Sequence, residues 1–204
     1  MSELEGCSMK RSNLSAALAL GLFLSPAVAQ QPAIVSKPIA EKKVTELPTG
    51  PLFWRVENFP TLADAQLAAG AYSLAAEAFG KAWLFSLGPP GQVSAGGAKV
   101  TEVGPLPEVK ATQYLLRVNE GSGAPGAVTS IHTHPGSEAY YVLAGEAGQK
   151  TPHGTERIAA GQTLAGHGAD TVMQFMNSGT SNVSYFALFV VDANKPFSSP
   201  AKFD

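Results

Sequence analysis

Short segments with strand character, separated by turn residues, make up the chain from Thr112 to Val191. Glycine, proline, asparagine or serine lies between most neighbouring segments, and β-branched and aromatic residues are frequent within them. Many short strands at regular spacing fold into a sandwich or a barrel. The pattern therefore predicts an all-β closed or jelly-roll sheet. The predicted strands are 112–119, 128–134, 137–144, 147–151, 155–159, 162–165, 171–177 and 183–191.

Two histidines and a glutamate lie within seven residues of one predicted hairpin, in the stretch Gly126–Gly145. Alternate side chains of a strand share a face, so His132 and His134 project together. Pro135-Gly136 supplies a turn, and Glu138 follows on the returning strand. Two imidazoles and a carboxylate on one face are a common ligand set for a divalent metal, with positions left open for water or substrate.

The spacing of these residues resembles the first signature motif of the cupin superfamily. That motif runs glycine, five residues, His-x-His, three or four residues, glutamate, six residues, glycine. Gly126, His132, His134, Glu138 and Gly145 stand at its fixed positions. The resemblance, to a single-domain cupin, covers roughly residues 112–191 and implies a jelly-roll β-barrel there. A short helix and extended strands are predicted N-terminal to it from the residues themselves. The resemblance also implies a metal held by His132, His134 and Glu138, a small organic substrate or ligand, and a homodimer.

The second motif of that family departs from its pattern here. Aligning on Asn177-Ser178-Gly179 places Met173 where the family has its remaining histidine ligand. Met173 and Phe175 are then expected in the same cavity by strand alternation. A thioether is a weak ligand for copper and a poor one for iron, manganese or zinc.

Three hypotheses follow for the site. In the first, the histidine–glutamate cluster (His132, His134 and Glu138) holds a divalent metal: iron, manganese, zinc, nickel or copper. In the second, His167 is recruited as a substitute nitrogen ligand, because flanking glycines free its backbone. In the third, metal binding has been lost and the cluster is a hydrogen-bonded polar group in a binding pocket.

Other polar residues have weaker claims on the site. Tyr140 shares the face of Glu138 and is a candidate pocket wall or hydrogen-bond donor. Arg117 would bind an anionic substrate if it pointed inward, although an outward, paired arginine is the commoner case. His153 lies in the predicted turn 151–155 and is interpreted as a solvated loop histidine. No residue is assigned a catalytic role.

A secretory signal peptide is predicted over residues 1–29. Lys10 and Arg11 precede an apolar run, Leu14 to Leu24, and Ala27-Val28-Ala29 follows as a cleavage site. The expected location is periplasmic or secreted. The single cysteine, Cys7, lies in the leader, so the mature chain would contain neither disulfides nor cysteine ligands.

The remaining chain divides into an N-terminal extension (30–110), the barrel core (111–195) and a C-terminal tail (196–204). Gln30 to Gly50 is predicted to be extended or disordered, and Thr61 to Asp64 to cap a short helix. Ser73–Phe79 and Lys81–Leu87 are predicted to pair as a hairpin. With Lys99–Val103, these strands are expected at the barrel edges or across a dimer contact.

Charge limits the possible partners. The chain of 204 residues has 14 basic and 16 acidic residues, with no basic stripe, so nucleic acids and membrane surfaces are poor partners and small molecules remain. Two function classes stay open. One is a metal-dependent enzyme of oxygenase or isomerase type. The other is a non-catalytic module for a small molecule, such as a sugar, or for a metal ion.

Overall fold

The computed structural model describes residues 31–204, so the predicted signal peptide lies outside the described residues. Strands predominate in the described part. The elements are β1 (Val35–Val44), β2 (Phe53–Phe59), α1 (Leu62–Ala68), β3 (Ser73–Ala78), β4 (Lys81–Gly88), β5 (Ala98–Val103), β6 (Tyr114–Gly123), β7 (His132–Thr133), β8 (Gly136–Ala144), β9 (Glu146–Thr151), β10 (Gly154–Ala159), β11 (Thr163–Leu164), β12 (Gln174–Asn177), β13 (Val183–Asp192) and β14 (Ser199–Pro200).

Strands β6 to β13 form a jelly-roll barrel of two facing antiparallel sheets. The central sheet has the order β6-β13-β8-β11, and β9 pairs with β10 and β12 in the facing sheet. Single bridges join Val128 to Met176 of β12, and His132 to Met173, which directly precedes β12. Side chains of both sheets meet in one apolar core that includes Tyr140, Phe175 and Tyr185. The predicted all-β jelly-roll fold is confirmed.

Strand β13 is apolar along nearly its whole length because both of its faces are covered. Phe186, Leu188 and Val190 face outward from the barrel, and Tyr185 and Phe189 face the barrel interior. A strand buried on two faces loses the polar–apolar alternation of a half-exposed strand.

A second antiparallel sheet, with the order β3-β4-β2-β5, covers the outer face of the central sheet. These strands were expected at the barrel edges, but the structure gives them a sheet of their own. The physical reason is their inward face, where Trp54, Trp83 and Phe85 pack against Phe186 of β13. Burying such large rings requires a face-to-face layer rather than an edge.

Strand β1 pairs with β6 and lies at the edge of the central sheet. The disordered alternative for Gln30 to Gly50 is therefore wrong over Val35–Val44. An edge strand with mostly exposed side chains has no apolar period to detect, and a register shift accommodates Pro38. Lys37 and Glu41 form ion pairs with β6, at 2.8 and 2.6 Å to Glu120 and Arg117.

The short helix and the first hairpin follow their predictions. The Thr61 hydroxyl accepts a hydrogen bond from the Asp64 backbone N–H at 3.1 Å and so caps α1. Strands β3 and β4 pair across Phe79-Gly80. Within residues 31–204, no helix is long and apolar enough to cross a membrane.

Candidate metal centre

The histidine–glutamate cluster lies at the mouth of the barrel, on β7, the turn after it and the start of β8. One ligand atom from each of His132, His134 and Glu138 lies within 4.8 Å of the other two. His134 Nε2 is 3.7 Å from Glu138 Oε2, and the two imidazole rings stand edge to face with centroids 4.9 Å apart. The strand and its turn thus bring the three side chains to one point.

Backbone carbonyls orient both imidazoles. His132 Nδ1 is 2.8 Å from the carbonyl oxygen of Ser130, and His134 Nδ1 is 2.6 Å from that of Phe197. A carbonyl can only accept, so each Nδ1 is the protonated nitrogen that donates. In the neutral ring this leaves the lone pair on Nε2, which is the usual arrangement of a metal-ligating histidine.

Glu138 is a buried carboxylate, and its Oε2 has no hydrogen-bond partner among residues 31–204. Burial raises the pKa of Glu138 to about 7, against the opposing effects of a hydrogen bond with Tyr140 and the nearby His132. Burial also lowers the pKa of His134. Burial therefore disfavours the charged form of both side chains, and a bound cation would stabilise the charged carboxylate of Glu138. The residues therefore fit a divalent metal.

Met173 lies directly opposite His132. Their backbones exchange two hydrogen bonds, of 3.0 and 2.9 Å, so both side chains are on the same face. The Met173 side chain is buried, and its sulfur accepts a hydrogen bond from Gln149 Nε2 at 3.3 Å. The methionine thus faces the histidine pair from the neighbouring strand, and its sulfur is engaged by an amide.

His167 and Arg117 are not part of the cluster, and each is paired with another residue. His167 Nε2 lies 3.5 Å from Glu156 Oε1, and His167 is not part of the cluster. Its neighbour Gly166 has a positive φ of 79° and packs against the backbone carbonyl of Glu138, where a Cβ would overlap. Arg117 pairs with Glu41 and stacks on Phe197 at 4.1 Å. His153 is exposed in the β9–β10 turn.

A cavity of about 350 Å³ opens beside the cluster. Tyr140 and Phe175 form part of its wall, with ring centroids 4.7 Å apart, whereas Met173 and His167 do not line it. The remaining wall is mostly aromatic or small. The lining residues are Ala33, Ile34, Ser36, Asn119, Val128, Thr129, Ser130, His132, His134, Glu138, Tyr140, Phe175, Tyr185, Phe189, Phe197 and Ser198.

Sequence reasoning missed the contribution of both ends of the described chain. Strand β14 pairs with β7 and places Phe197 against the His134 ring, with centroids 4.7 Å apart. Ala33 and Ser36 enter the cavity wall from the other end. The local signal for Phe197 was the presence of aromatic residues, Phe197 and Phe203, in a short tail, since exposed tails seldom retain large apolar side chains.

Comparisons with known proteins concern the fold. No family model and no curated protein matches the chain. A solved double-stranded β-helix protein from Klebsiella pneumoniae is 24% identical over 43% of this chain and 76% of its own, with a TM-score of 0.38. A sugar phosphate isomerase of the cupin superfamily from Silicibacter pomeroyi is 24% identical over 36% of this chain and 48% of its own, with a TM-score of 0.33. A cupin superfamily protein from Desulfitobacterium hafniense is 18% identical over 42% and 84%, with a TM-score of 0.35. The chain thus spans about half the length of the isomerase, and the Silicibacter and Desulfitobacterium proteins are the ones described as members of the cupin superfamily.

Proposed function

We propose that this protein is a cupin-type barrel that holds one divalent metal through His132, His134 and Glu138 and takes a small organic molecule in the adjoining cavity. One observation carries the proposal. Two imidazoles, each with Nδ1 committed to a backbone carbonyl, converge with a buried, unpartnered carboxylate oxygen. A purely structural cluster would satisfy that oxygen from within the protein.

When bound, the metal would supply Lewis-acid or oxygen-binding chemistry at the mouth of the cavity. The protein's own side chains would bind and orient the organic ligand. Tyr140 is buried beside Glu138, and burial and the carboxylate both raise its pKa, so its hydroxyl stays protonated and can donate. The aromatic wall excludes water from the organic ligand and limits its size. An enzyme of oxygenase or isomerase type is the first candidate.

A non-catalytic binding module is the second candidate, and Met173 favours it. A third nitrogen ligand is expected where Met173 stands, and the methionine sulfur is hydrogen-bonded to Gln149. The cluster then offers three ligand atoms from the residues described, enough for capture of a metal or a small molecule without turnover. Export through the predicted signal peptide, residues 1–29, and a homodimer belong to the same proposal and are supported by the sequence alone.

Metal content tests the proposal. Purified protein is compared by elemental mass spectrometry with a His132→Ala, His134→Ala double variant and with His153→Ala. His153 is exposed and remote from the cluster, so His153→Ala removes a histidine without touching the site. We expect about one metal ion per chain in the wild type and in His153→Ala, and a loss of metal in the double variant.

Absence of metal from all three proteins after reconstitution with iron, manganese, zinc, nickel and copper would refute the metal site. Equal retention of metal by the double variant would assign the ion to other residues. The identity of a bound ion then chooses between redox assays and isomerase or hydrolytic assays.

A further inference from the structure

The cavity has a second polar end, away from the histidine–glutamate cluster. In the central sheet, Tyr140, Ala187 and Asn119 lie directly opposite one another on β8, β13 and β6, and their side chains face the interior. Neighbouring strands are roughly 4.8 Å apart, so Asn119 stands roughly 10 Å across the sheet from Tyr140. Tyr140 is two residues beyond Glu138 on the same strand. The cluster and Asn119 therefore lie at separate positions along the cavity wall.

Asn119 lines this cavity and carries an unused acceptor. The side chain is only 8% exposed. Its Nδ2 donates to the hydroxyl of Ser36 at 3.2 Å, while Oδ1 has no hydrogen-bond partner within residues 31–204. A buried amide oxygen without a donor is unfavourable, so a ligand donor at this point would be favoured.

The floor and wall between the two ends suit a flat ring. Ala187 lies between Tyr140 and Asn119 in the sheet, and its small side chain adds no bulk between them. Tyr185 forms the adjacent wall, because Gly121 beneath it has no Cβ to displace the ring. Phe175 packs on Tyr185 with centroids 4.2 Å apart, which extends the aromatic surface. Aromatic faces stack on sugar and phenol rings alike.

Apart from the proposed metal, the charges of the protein around the cavity disfavour a phosphate ester. No lysine or arginine is among the described residues that line it. Arg117, the nearest cation on the same face of β6, is paired with Glu41 at 2.6 Å and stacked on Phe197. Phosphate recognition ordinarily uses arginine, lysine or a group of backbone N–H donors. Asn119 Oδ1 offers an acceptor instead, which repels a phosphate.

We infer that Asn119, oriented by Ser36, is a specificity-determining residue that accepts a hydrogen bond from a hydroxyl of an uncharged, hydroxylated ring. The inference rests on the proposed function for the opposite end of the ligand, at the cluster. Both a sugar and a phenol supply this chemistry, and their phosphate esters do not.

Two matched pairs of probes test the inference by calorimetric titration: D-glucose with D-glucose 6-phosphate, and phenol with phenyl phosphate. We expect the uncharged member of one pair to bind more tightly than its ester, and that pair identifies the ring as sugar or phenol. Asn119→Leu should weaken binding of the uncharged probe about tenfold, the loss of one hydrogen bond. Asn182→Leu, at an exposed asparagine outside the cavity, should leave it unchanged.

Asn119→Asp keeps an acceptor at this position and should retain the affinity for the uncharged probe, even if Asn119→Leu does not fold. Tighter binding of the esters, no effect of Asn119→Leu, loss of the uncharged probe in Asn119→Asp, or no binding of any probe at millimolar concentration would each overturn the inference. Metal content measured on the same samples separates the two proposals. If the uncharged probe binds in a way that depends on Asn119 but the protein contains no metal, only the proposed metal site is refuted. If the protein contains metal but binds the phosphate esters more tightly, only the proposed role of Asn119 is refuted.

Discussion

At the scale of single residues, polar groups buried in this protein differ in whether the protein satisfies them. Glu138 retains an oxygen without a partner among the described residues. Glu57, also fully buried, has both oxygens engaged: Oε1 accepts from the Ser94 backbone N–H at 2.8 Å, and Oε2 accepts from Arg55 Nε at 2.9 Å. A satisfied buried carboxylate stabilises the fold, whereas an unsatisfied one at a cavity indicates a ligand site.

Glu57→Gln should lower the free energy of unfolding by about 3 kcal/mol at pH 7, because it leaves Arg55 without its buried counter-charge. Urea unfolding measures this loss. Glu108→Gln is the control, since Glu108 is largely exposed and its ion pair with Lys110 is long, at 3.6 Å. A difference of less than about 1 kcal/mol between the two variants would contradict the assignment of Glu57 as a stabilising group.

The difference in unfolding free energy between the wild type and Glu57→Gln depends on pH. Burial alone would raise the pKa of Glu57, but hydrogen bonds from Ser94 and Arg55 hold it below its ordinary value. Because the folded pKa is lower than the unfolded one, the stabilisation is present above the unfolded pKa of about 4.3. It is lost as the pH falls through the folded pKa. The difference between wild type and Glu57→Gln should therefore shrink in acid.

At the scale of elements, most predicted barrel strands correspond closely to the observed ones, although 128–134 is a strand only over His132–Thr133, and β14 in the C-terminal tail was not predicted. Strands such as Ser137–Ala144 and Val183–Val191 carry local patterns of apolar residues and turn signals, which a sequence displays directly. Strand β14 has two residues and pairs with β7, about 66 positions earlier in the chain, so no local pattern marks it. The segment before β14 orients His134 through the backbone carbonyl of Phe197, a group that any residue could supply.

Removal of the C-terminal segment should weaken metal binding. A chain ending at Lys195 loses the Phe197 carbonyl that orients His134, and loss of such an outer partner typically lowers metal affinity about 10–100-fold. Competition with a chelator measures the change, and circular dichroism checks the fold. A chain ending at Ala201 keeps β14 and the Ala201 N–H to Ile131 bond, and should bind metal normally. Equal affinity of both truncated chains would show that the carbonyl is dispensable.

At the scale of the whole molecule, the central sheet separates two apolar cores with different roles. One core, on the side of β2–β5, is filled by packed rings such as Trp83 and Phe186 at 4.9 Å. The other contains the cavity and the cluster. The cupin-like motif predicted the barrel that encloses the second core. The three candidate ligands named from that motif lie close together in the structure. The first core could not be placed from sequence: β2 was not predicted as a strand, and the apolar run of β4 does not show which sheet it covers.

Trp83→Ala should therefore separate stability from binding. Trp83 is almost fully buried and its Nε1 donates to the Ala78 carbonyl at 2.8 Å, so its removal should lower the free energy of unfolding by about 3–5 kcal/mol. Metal content and affinity should stay near wild type, since the side chain lies on the opposite face of the sheet. Trp83→Phe is the milder companion if Trp83→Ala does not fold. A parallel loss of metal affinity in the folded variant would show that the two faces are coupled.

Gly121 influences the size of the cavity from a position that no ligand would contact. A Cβ at this position would overlap the Tyr185 ring, so any other residue must displace that ring, which lines the cavity. Homologous chains that differ here are expected to enclose a cavity of different volume while keeping the same cluster and the same Asn119 acceptor. Divergence in ligand size among such chains is thus expected to follow a position beneath the wall rather than one facing the ligand, and comparison of contact residues alone would overlook it.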